Sequence, residues 1–261
     1  MTGAAPAAIR DQPLIAVDVV PVTFGTAPSG AGGLRVGTAT RRYEPFVGRE
    51  ALPGVLLDGA ELLADGARRA LRTKTAVDAA AVRHLAQIGA FDGPDRDPRS
   101  AAISVAFLAV VAPDVVAGSG PDVSASAAVA EPVRAAVPVA VPVPVAGTVW
   151  HDVADLPLGL PFDHDRIIAA ALDHARTRLW SDVPLTRALL GERFTTPDAA
   201  RLTVALTGVA PDPGNLNRAL RTNPALTRVD APADGDAGSA AAGGVRRGRG
   251  GRPPAAWTWS D

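Results

Sequence analysis

The stretch LPGVLLDGAELLADGARRALRTKTAV, residues 52–77, decides how the chain folds. Apolar or small residues at 63, 67, 70 and 71 fall on one face of a helix over 61–72. A Leu-Pro-Gly leads in, Glu61 and Arg69 stand on the helix, and Thr73 and Lys74 follow it. Taken alone, 61–72 is an ordinary amphipathic helix; its neighbours decide whether it is more.

On the N-terminal side, LIAVDVVPVTF (14–24) and LRVGTAT (34–40) are β-branched and apolar. The Gly/Ser/Pro segment 25–33 between them predicts a hairpin. On the C-terminal side, a short helix around 78–86 and a strong strand at AAISVAFLAVVA (101–112) are expected. Antiparallel strands with interposed helices make an α+β pattern. From Pro113 to Gly147 the chain is a tract of Ala, Val, Pro, Ser and Gly whose repeated prolines exclude a helix or a central strand, so it reads as a long hairpin loop. Strand character returns at TVW (148–150). Asp163 is expected to cap HDRIIAAALDHARTRLW, in which Ile167, Ala171, His174 and Leu179 mark a long amphipathic helix connecting two domains.

Three short helices and a hairpin follow. Thr196 is the expected cap of a helix with Pro197 at its first position and Gly208 as its stop, and Asp212 with Pro213 starts another (GNLNRALRTN). Strand-like ALTRV (225–229) and AAWTW (255–259) flank a long loop containing RRGRGGR. Three helices and then a two-stranded wing with an arginine-rich tip is the order of a winged helix-turn-helix.

Composition narrows the function. With 261 residues and 47% hydrophobic content the chain buries a sizeable core, and two domains is the natural expectation. A net charge of -1 gives no whole-chain signature of nucleic-acid binding, so such binding must come from a local patch. The absence of cysteine excludes disulfides, thiolate zinc sites and cysteine nucleophiles. No two of the histidines at 84, 151, 164 and 174 have the i, i+4 spacing of helical metal ligands, so each is expected to be structural or exposed. No basic start precedes an apolar run, and the apolar stretch around 125–147 is broken by Pro132, Pro138, Pro142 and Pro144. The expectation is a cytoplasmic protein with no membrane partner.

Residues 52–77 resemble the Nudix box with its preceding Leu-Pro-Gly. In that box a Gly-rich loop leads into a helix whose glutamates hold divalent metals against a pyrophosphate. Here Glu61 and Arg69 keep their motif positions, but the box glycines become Val55 and Ala76 and the helix glutamates become Ala70, Thr73 and Lys74. Mg²⁺ takes hard oxygen ligands, usually carboxylates. The expectation is therefore no metal, no cofactor and no enzyme activity; the alternative is a Nudix hydrolase with residual activity on ADP-ribose or a related nucleoside diphosphate.

Further matches lie at RRYEPFVGREALPG (41–54), FDGPDRDPRSAAISVAFLAVV (91–111), WHDVADLPLGLPFDH (150–164), GERFTTPDAARLTVALTGVAPDPGNLNRALRTN (191–223) and the terminal GRGGRPPAAWTW. In this order they resemble the Nudix-related transcriptional regulators, over most of the chain except the first ten residues, 113–147 and 230–245. The resemblance implies a Nudix-like α/β/α sandwich over 12–162 carrying 113–147 as a loop insertion, a connecting helix over 163–181, and a winged helix-turn-helix over 182–261. It implies a homodimer that binds a double-stranded DNA operator, usually as a repressor of NAD-synthesis or pentose genes, and releases it on binding an ADP-ribose-like effector.

On that resemblance the candidate effector-binding residues are Arg42, Phe46, Glu61, Lys74, Asp97 and Arg99. DRDPR (95–99) reads equally as a pocket loop or an ordinary charged loop, and Lys74 places a fixed positive charge where a metal would have sat, able to meet a pyrophosphate directly. On the candidate recognition helix, Leu216, Ala219 and Leu220 form one stripe, Arg218, Arg221 and Thr222 face the other way, and Asn215 and Asn217 flank them. Arg reads guanine and Asn adenine in the major groove, although both also populate solvated helix faces. Thr195 and Thr196 complete the helix-turn-helix candidates. Arg246, Arg247, Arg249 and Arg252, interleaved with glycine, make a basic wing suited to phosphate or minor-groove contact.

Overall fold

The computed structural model describes residues 12–25, 33–117, 147–229 and 254–260. The chain divides into two compact units, the first holding the described residues up to Thr23 and Arg35–His174 and the second the rest, so that Phe24 and Leu34 go with the second and one break falls inside a helix between His174 and Ala175. The elements up to that point are β1 (Leu14–Phe24), β2 (Leu34–Thr40), β3 (Glu50–Ala51), β4 (Gly54–Leu56), α1 (Leu63–Thr75), β5 (Val82–Phe91), β6 (Ala102–Val111), α2 (Asp114–Ala117), β7 (Val149–Asp152) and α3 (His164–Arg178).

The sheet runs β3-β2-β1-β6-β5, with β4 paired on β1 and β7 on β2. It is mixed, against the expectation of antiparallel strands: β1 and β6 pair in parallel from Leu14 with Ala102 to Val22 with Val110. Parallel neighbours require a long crossover, and α1 with β5 lies between these two in sequence. The expected helix at 78–86 is also corrected. Only Ala79–Ala81 turn, as a 3₁₀ element capped by the Asp78 carboxylate, and Val82–Phe91 is a strand antiparallel to β6. The three alanines do turn, and from Val82 on pairing with the apolar β6 takes the place of the expected helix.

Alternation along β1 builds two layers on the sheet. Val17 and Val19 pack with Phe107, Ala109 and Val111 of β6 against Ala67, Ala70 and Leu71 of α1. Asp18 points to the opposite face, where it meets His164 in the first turn of α3. Helices thus cover both faces of the sheet. Asp163, the expected cap of α3, instead has φ 57° and follows Phe162 at φ 61°. This left-handed turn replaces the extended backbone of an N-cap. Asp165 does the local tying, accepting from the amides of Gly159 and Leu160 at 2.7 and 3.0 Å. The helix ends at Arg178, so Leu179 lies beyond it.

The second unit contains α4 (Val183–Leu190), β8 (Arg193–Thr195), α5 (Thr196–Thr207), α6 (Pro213–Thr222), β9 (Leu226–Val229) and β10 (Ala256–Trp259). The strands form an antiparallel sheet in the order β8-β10-β9. Thr195, one residue before the expected position, caps α5 in a reciprocal box with Asp198, while Gly208 stops the helix at φ 70° as expected. Asp212 caps α6 by accepting from Asn215 N. Leu185, Leu189, Phe194, Leu202, Leu216, Leu220 and Trp257 form the buried interior. The indole N–H groups of Trp257 and Trp259 donate to Thr196 Oγ1 and the Gly191 carbonyl. Among the described residues no helix is long and apolar enough to cross a membrane. Against the expectation that the tract from Pro113 on excludes a helix, its start forms α2, since no proline falls between Pro113 and Pro121; residues 118 to 146 and most of the wing loop, including Arg246, Arg247, Arg249 and Arg252, lie outside the described residues.

Candidate functional site

A cavity of 390 Å³ opens in the first unit, bounded by β1, β4, α1, the segment after β2, the β5–β6 loop and the start of α3. Its floor is polar and buried. The Asp18 carboxylate accepts from Arg96 Nη2 at 2.8 Å and Ser104 Oγ at 2.6 Å, both on Oδ2. His164 Nε2 lies 3.6 Å from Oδ1. Burial opposes ionisation of Asp18, but His164, Ser104 and Arg96 outweigh it and hold the carboxyl well below its ordinary pKa.

The Leu-Pro-Gly segment serves this floor residue by residue. Leu52 N donates to His164 Nδ1 at 2.8 Å, and the Pro53 carbonyl accepts from Val19 N. Gly54 sits opposite Asp18 in the β1–β4 register, where a Cβ would come within 2.0 Å of Asp18 Oδ1. Glycine is required by close approach here.

Around the mouth stand cations. Arg69 is committed: its guanidinium donates to both carboxylate oxygens of Glu61, at 2.8 and 2.6 Å, and to the Leu56 carbonyl. Arg99 is paired with Asp97, whose carboxyl its hydrogen bonds keep below the ordinary value. Arg41 and Lys74 have no carboxylate partner among the described residues. Arg41 donates to the Pro45 and Tyr43 carbonyls and lies over the Phe162 ring at 4.5 Å. Burial and then Arg99 lower its pKa. Lys74 lies 5.9 Å from the Tyr43 ring, and burial, then Arg41, Arg42 and Arg69, lower its pKa. A concave site with uncompensated positive charge favours an anion.

The residues present do not fit the divalent metal of a Nudix hydrolase. Ala70 is fully buried in the core, the Thr73 hydroxyl is spent on the Arg69 carbonyl at 2.7 Å, and Lys74 brings an ammonium. Among the described residues no group of three or more His, Asp or Glu is placed to hold a metal ion.

Of the sequence candidates, Lys74, Asp97 and Arg99 line the cavity. Arg42 lines a smaller one of 280 Å³ that shares Arg41, Tyr43, Leu52, Gly54 and Lys74 with it. Glu61 stands behind Arg69 rather than on the wall, and Phe46 packs edge-on against Phe162 with ring centroids 5.1 Å apart. Sequence reasoning missed Asp18, Arg41, Arg96 and His164. A lone carboxylate inside the apolar run VDVV was the available signal for Asp18, and Arg96 lay within the charged loop 95–99 without being singled out; His164 carries no signal without the fold.

In the second unit, α6 buries Leu216 and Leu220 and exposes Asn215, Arg218, Arg221 and Thr222. Ala219 is exposed rather than part of the apolar stripe. Arg218 and Arg221 make side-chain hydrogen bonds only within their own helix, to Asn215 Oδ1 at 3.4 Å and the Asn217 carbonyl at 3.3 Å. Asn217 is half-buried and donates to the Pro213 carbonyl. Thr195 and Thr196 are tied inside the unit, to Asp198 and to Trp257. Arg228 and Thr227 on β9 are exposed and were not anticipated.

No protein-family model and no curated protein matches the chain. Solved structures do. Shewanella oneidensis NrtR is similar with a TM-score of 0.65 and 22% identity over 95% of this chain and 94% of that one. The same protein complexed with a 27mer DNA gives 0.63 and 22% over 94% and 93%. A MutT/nudix family protein from Enterococcus faecalis gives 0.63 and 22% over 88% and 87%. The fold is therefore α+β, a Nudix-like domain followed by a winged helix-turn-helix.

Proposed function

We propose that this chain is a DNA-binding transcriptional regulator of the Nudix-related kind, whose first domain binds an ADP-ribose-like or NAD-related metabolite without hydrolysing it. The observation that carries the reading is α6: an exposed Asn/Arg/Thr face on the third helix of a unit closed by a wing. A major groove accepts such a helix, and Arg and Asn have the bidentate donor geometry to read guanine and adenine. The likeness to a protein solved on a 27mer DNA supports it. The cavity supports the effector half of the proposal, because Arg41 and Lys74 offer charge to a pyrophosphate while Ala70, Thr73 and Lys74 offer no carboxylate to a metal. Binding is by direct charge-assisted contact.

The proposal extends to a cytoplasmic homodimeric repressor, with its sensing domain over 12–162, a connecting helix over 163–181 and its DNA-binding domain over 182–261. Effector and DNA then oppose one another through a coupling free energy. A gel shift on DNA upstream of the chain's own coding sequence tests this. A retarded band that added ADP-ribose releases is the expected result, and absence of any shift rejects the regulator. The same protein incubated with ADP-ribose and Mg²⁺ or Mn²⁺ is expected to show no more than trace hydrolysis. Turnover near 1 per second, an ordinary enzymatic rate, would establish the hydrolase instead.

A further inference from the structure

The turn that leads into α3 is held by groups that also border the cavity. Phe46, Phe162 and Asp163 have left-handed backbone, with φ of 68°, 61° and 57°. Residues with a side chain resist that conformation, and it persists only where the surroundings enforce it. Here the surroundings are rings and guanidinium groups. Phe46 and Phe162 meet edge to face with centroids 5.1 Å apart, and the Arg41 guanidinium lies over the Phe162 ring at 4.5 Å. Arg49 lies over the Phe46 ring at 5.6 Å and donates to the Gly159 carbonyl. Asp165 on α3 accepts in turn from the amides of Gly159 and Leu160. The segment after β2 is thereby tied to the start of α3, the helix within which the first unit ends.

Arg41 belongs to both structures. It lines the cavity together with Phe162, and its Nε and Nη2 donate to the Pro45 and Tyr43 carbonyls. The other cavity arginines have carboxylates: Arg69 pairs with Glu61, Arg96 with Asp18 and Arg99 with Asp97. Lys74 stands on α1, beside the Tyr43 ring rather than Phe162. An anion that takes the Arg41 fork competes with the two carbonyls and with the ring, because a cation–π contact fades beyond about 6 Å from the centroid.

We propose that Arg41 and Phe162 form a latch that reports occupancy of the cavity to α3. An anion in the cavity draws Arg41 off the Phe162 ring, the left-handed turn at Phe162 and Asp163 relaxes, and the first turn of α3 loosens from the loop that holds it. A residue kept in unfavourable backbone by a removable contact has a second conformation close in energy, which is what a switch requires. The latch rests on the reading of the cavity as an anion site and adds its regulation. Phe162 is a positioning residue in it, acting on α3 through the turn.

Amide hydrogen exchange on the full chain tests it, with inorganic pyrophosphate as the probe and calorimetry to establish saturation. Pyrophosphate is expected to speed exchange across residues 159–168 by at least about fivefold while residues 105–110 of β6 do not speed up. Phe162→Leu, which keeps apolar bulk and loses the ring face, should exchange fast there without pyrophosphate and change by less than about twofold on its addition. The same variant should bind pyrophosphate about threefold more tightly, because Arg41 no longer has a ring to leave, whereas a merely structural residue would lose affinity. Phe162→Tyr should restore the parent's response. A thermal melt shows whether Phe162→Leu is folded; if it is not, exchange in the parent decides alone. Pyrophosphate binding with no faster exchange at 159–168, or a Phe162→Leu response equal to the parent's, overturns the latch and leaves the anion site standing. Failure of pyrophosphate to bind the parent overturns the anion site and the latch together.

Discussion

Helices α1 and α6 both bury a small apolar stripe and turn basic residues outward, yet they present those residues in opposite ways. On α1, Arg69 is clamped by Glu61 and Lys74 is crowded into a concavity with Arg41 and Arg42, where burial and like charge lower its pKa. On α6, Arg218 and Arg221 stand exposed and are held only by their own helix. A cation cluster in a low-dielectric hollow concentrates its field on one small anion. Exposed cations on a helix surface suit a polyanion, whose bound counterions they displace. In the proposed function the same residue types serve two ligands, and curvature decides which.

The sharpest way to break this comparison is through stability. Asp18→Ala strands the Arg96 charge in the interior and should cost about 3–5 kcal/mol, whereas Arg218→Ala should change stability by no more than about 0.5 kcal/mol. Denaturant unfolding of both measures the contrast, and similar values would mean that the cavity is no more built than the helix surface. The sign with pH follows from the lowered pKa of Asp18 and Asp97. Their contribution is complete above the unfolded value of about 3.9 and is lost as pH falls below it, so Asp18→Asn should flatten the acid limb of the stability curve.

Next in size is the small anion. Lys74→Ala should weaken pyrophosphate binding by about 1.5–3 kcal/mol, the worth of a hydrogen bond to a charged group, and EDTA should leave the parent's affinity unchanged. A requirement for added metal in calorimetry would contradict the role given to Lys74. Smaller again is the cap of α5: Thr195→Ala should lower stability by about 1 kcal/mol through loss of the box with Asp198, leaving anion binding untouched. The smallest effect is electrostatic. Because the pKa of Lys74 is lowered on folding, the unfolded chain holds that proton more tightly, and stability should rise as pH climbs toward the ordinary value of 10.5. Lys74→Met should abolish that rise in a series of alkaline melts.

Much of this arrangement was legible in the chain itself. The hydrophobic runs of β1 and β6, the Asp212-Pro213 start of α6 and the Gly208 stop are local signals, and each appears where its residues place it. Local reasoning failed where pairing decides conformation. The start of β5, following three alanines, looks helical until β6 is beside it, and the parallel register of β1 with β6 has no signature in either strand. It failed again at the floor of the cavity. Asp18, Arg96 and His164 are far apart in sequence and meet only because the β5–β6 loop and the left-handed turn at Phe162 and Asp163 converge on β1. Lys74 was legible because it stands in a motif position; Arg41, one residue from the expected Arg42, was not, since which of two adjacent arginines enters the larger cavity depends on the irregular backbone of the segment after β2.

The most direct measurement is fluorescence anisotropy of labelled DNA from upstream of the chain's own coding sequence, titrated across a salt series with the parent, Arg218→Ala and Lys74→Ala. The parent is expected to bind with log K falling linearly in log salt. Arg218→Ala should lose about 1–3 kcal/mol of affinity and relax discrimination at a particular base pair, while Lys74→Ala binds like the parent. Should Arg218→Ala match the parent at every salt concentration, or the parent fail to bind, α6 is not a DNA-reading helix and the regulator is contradicted.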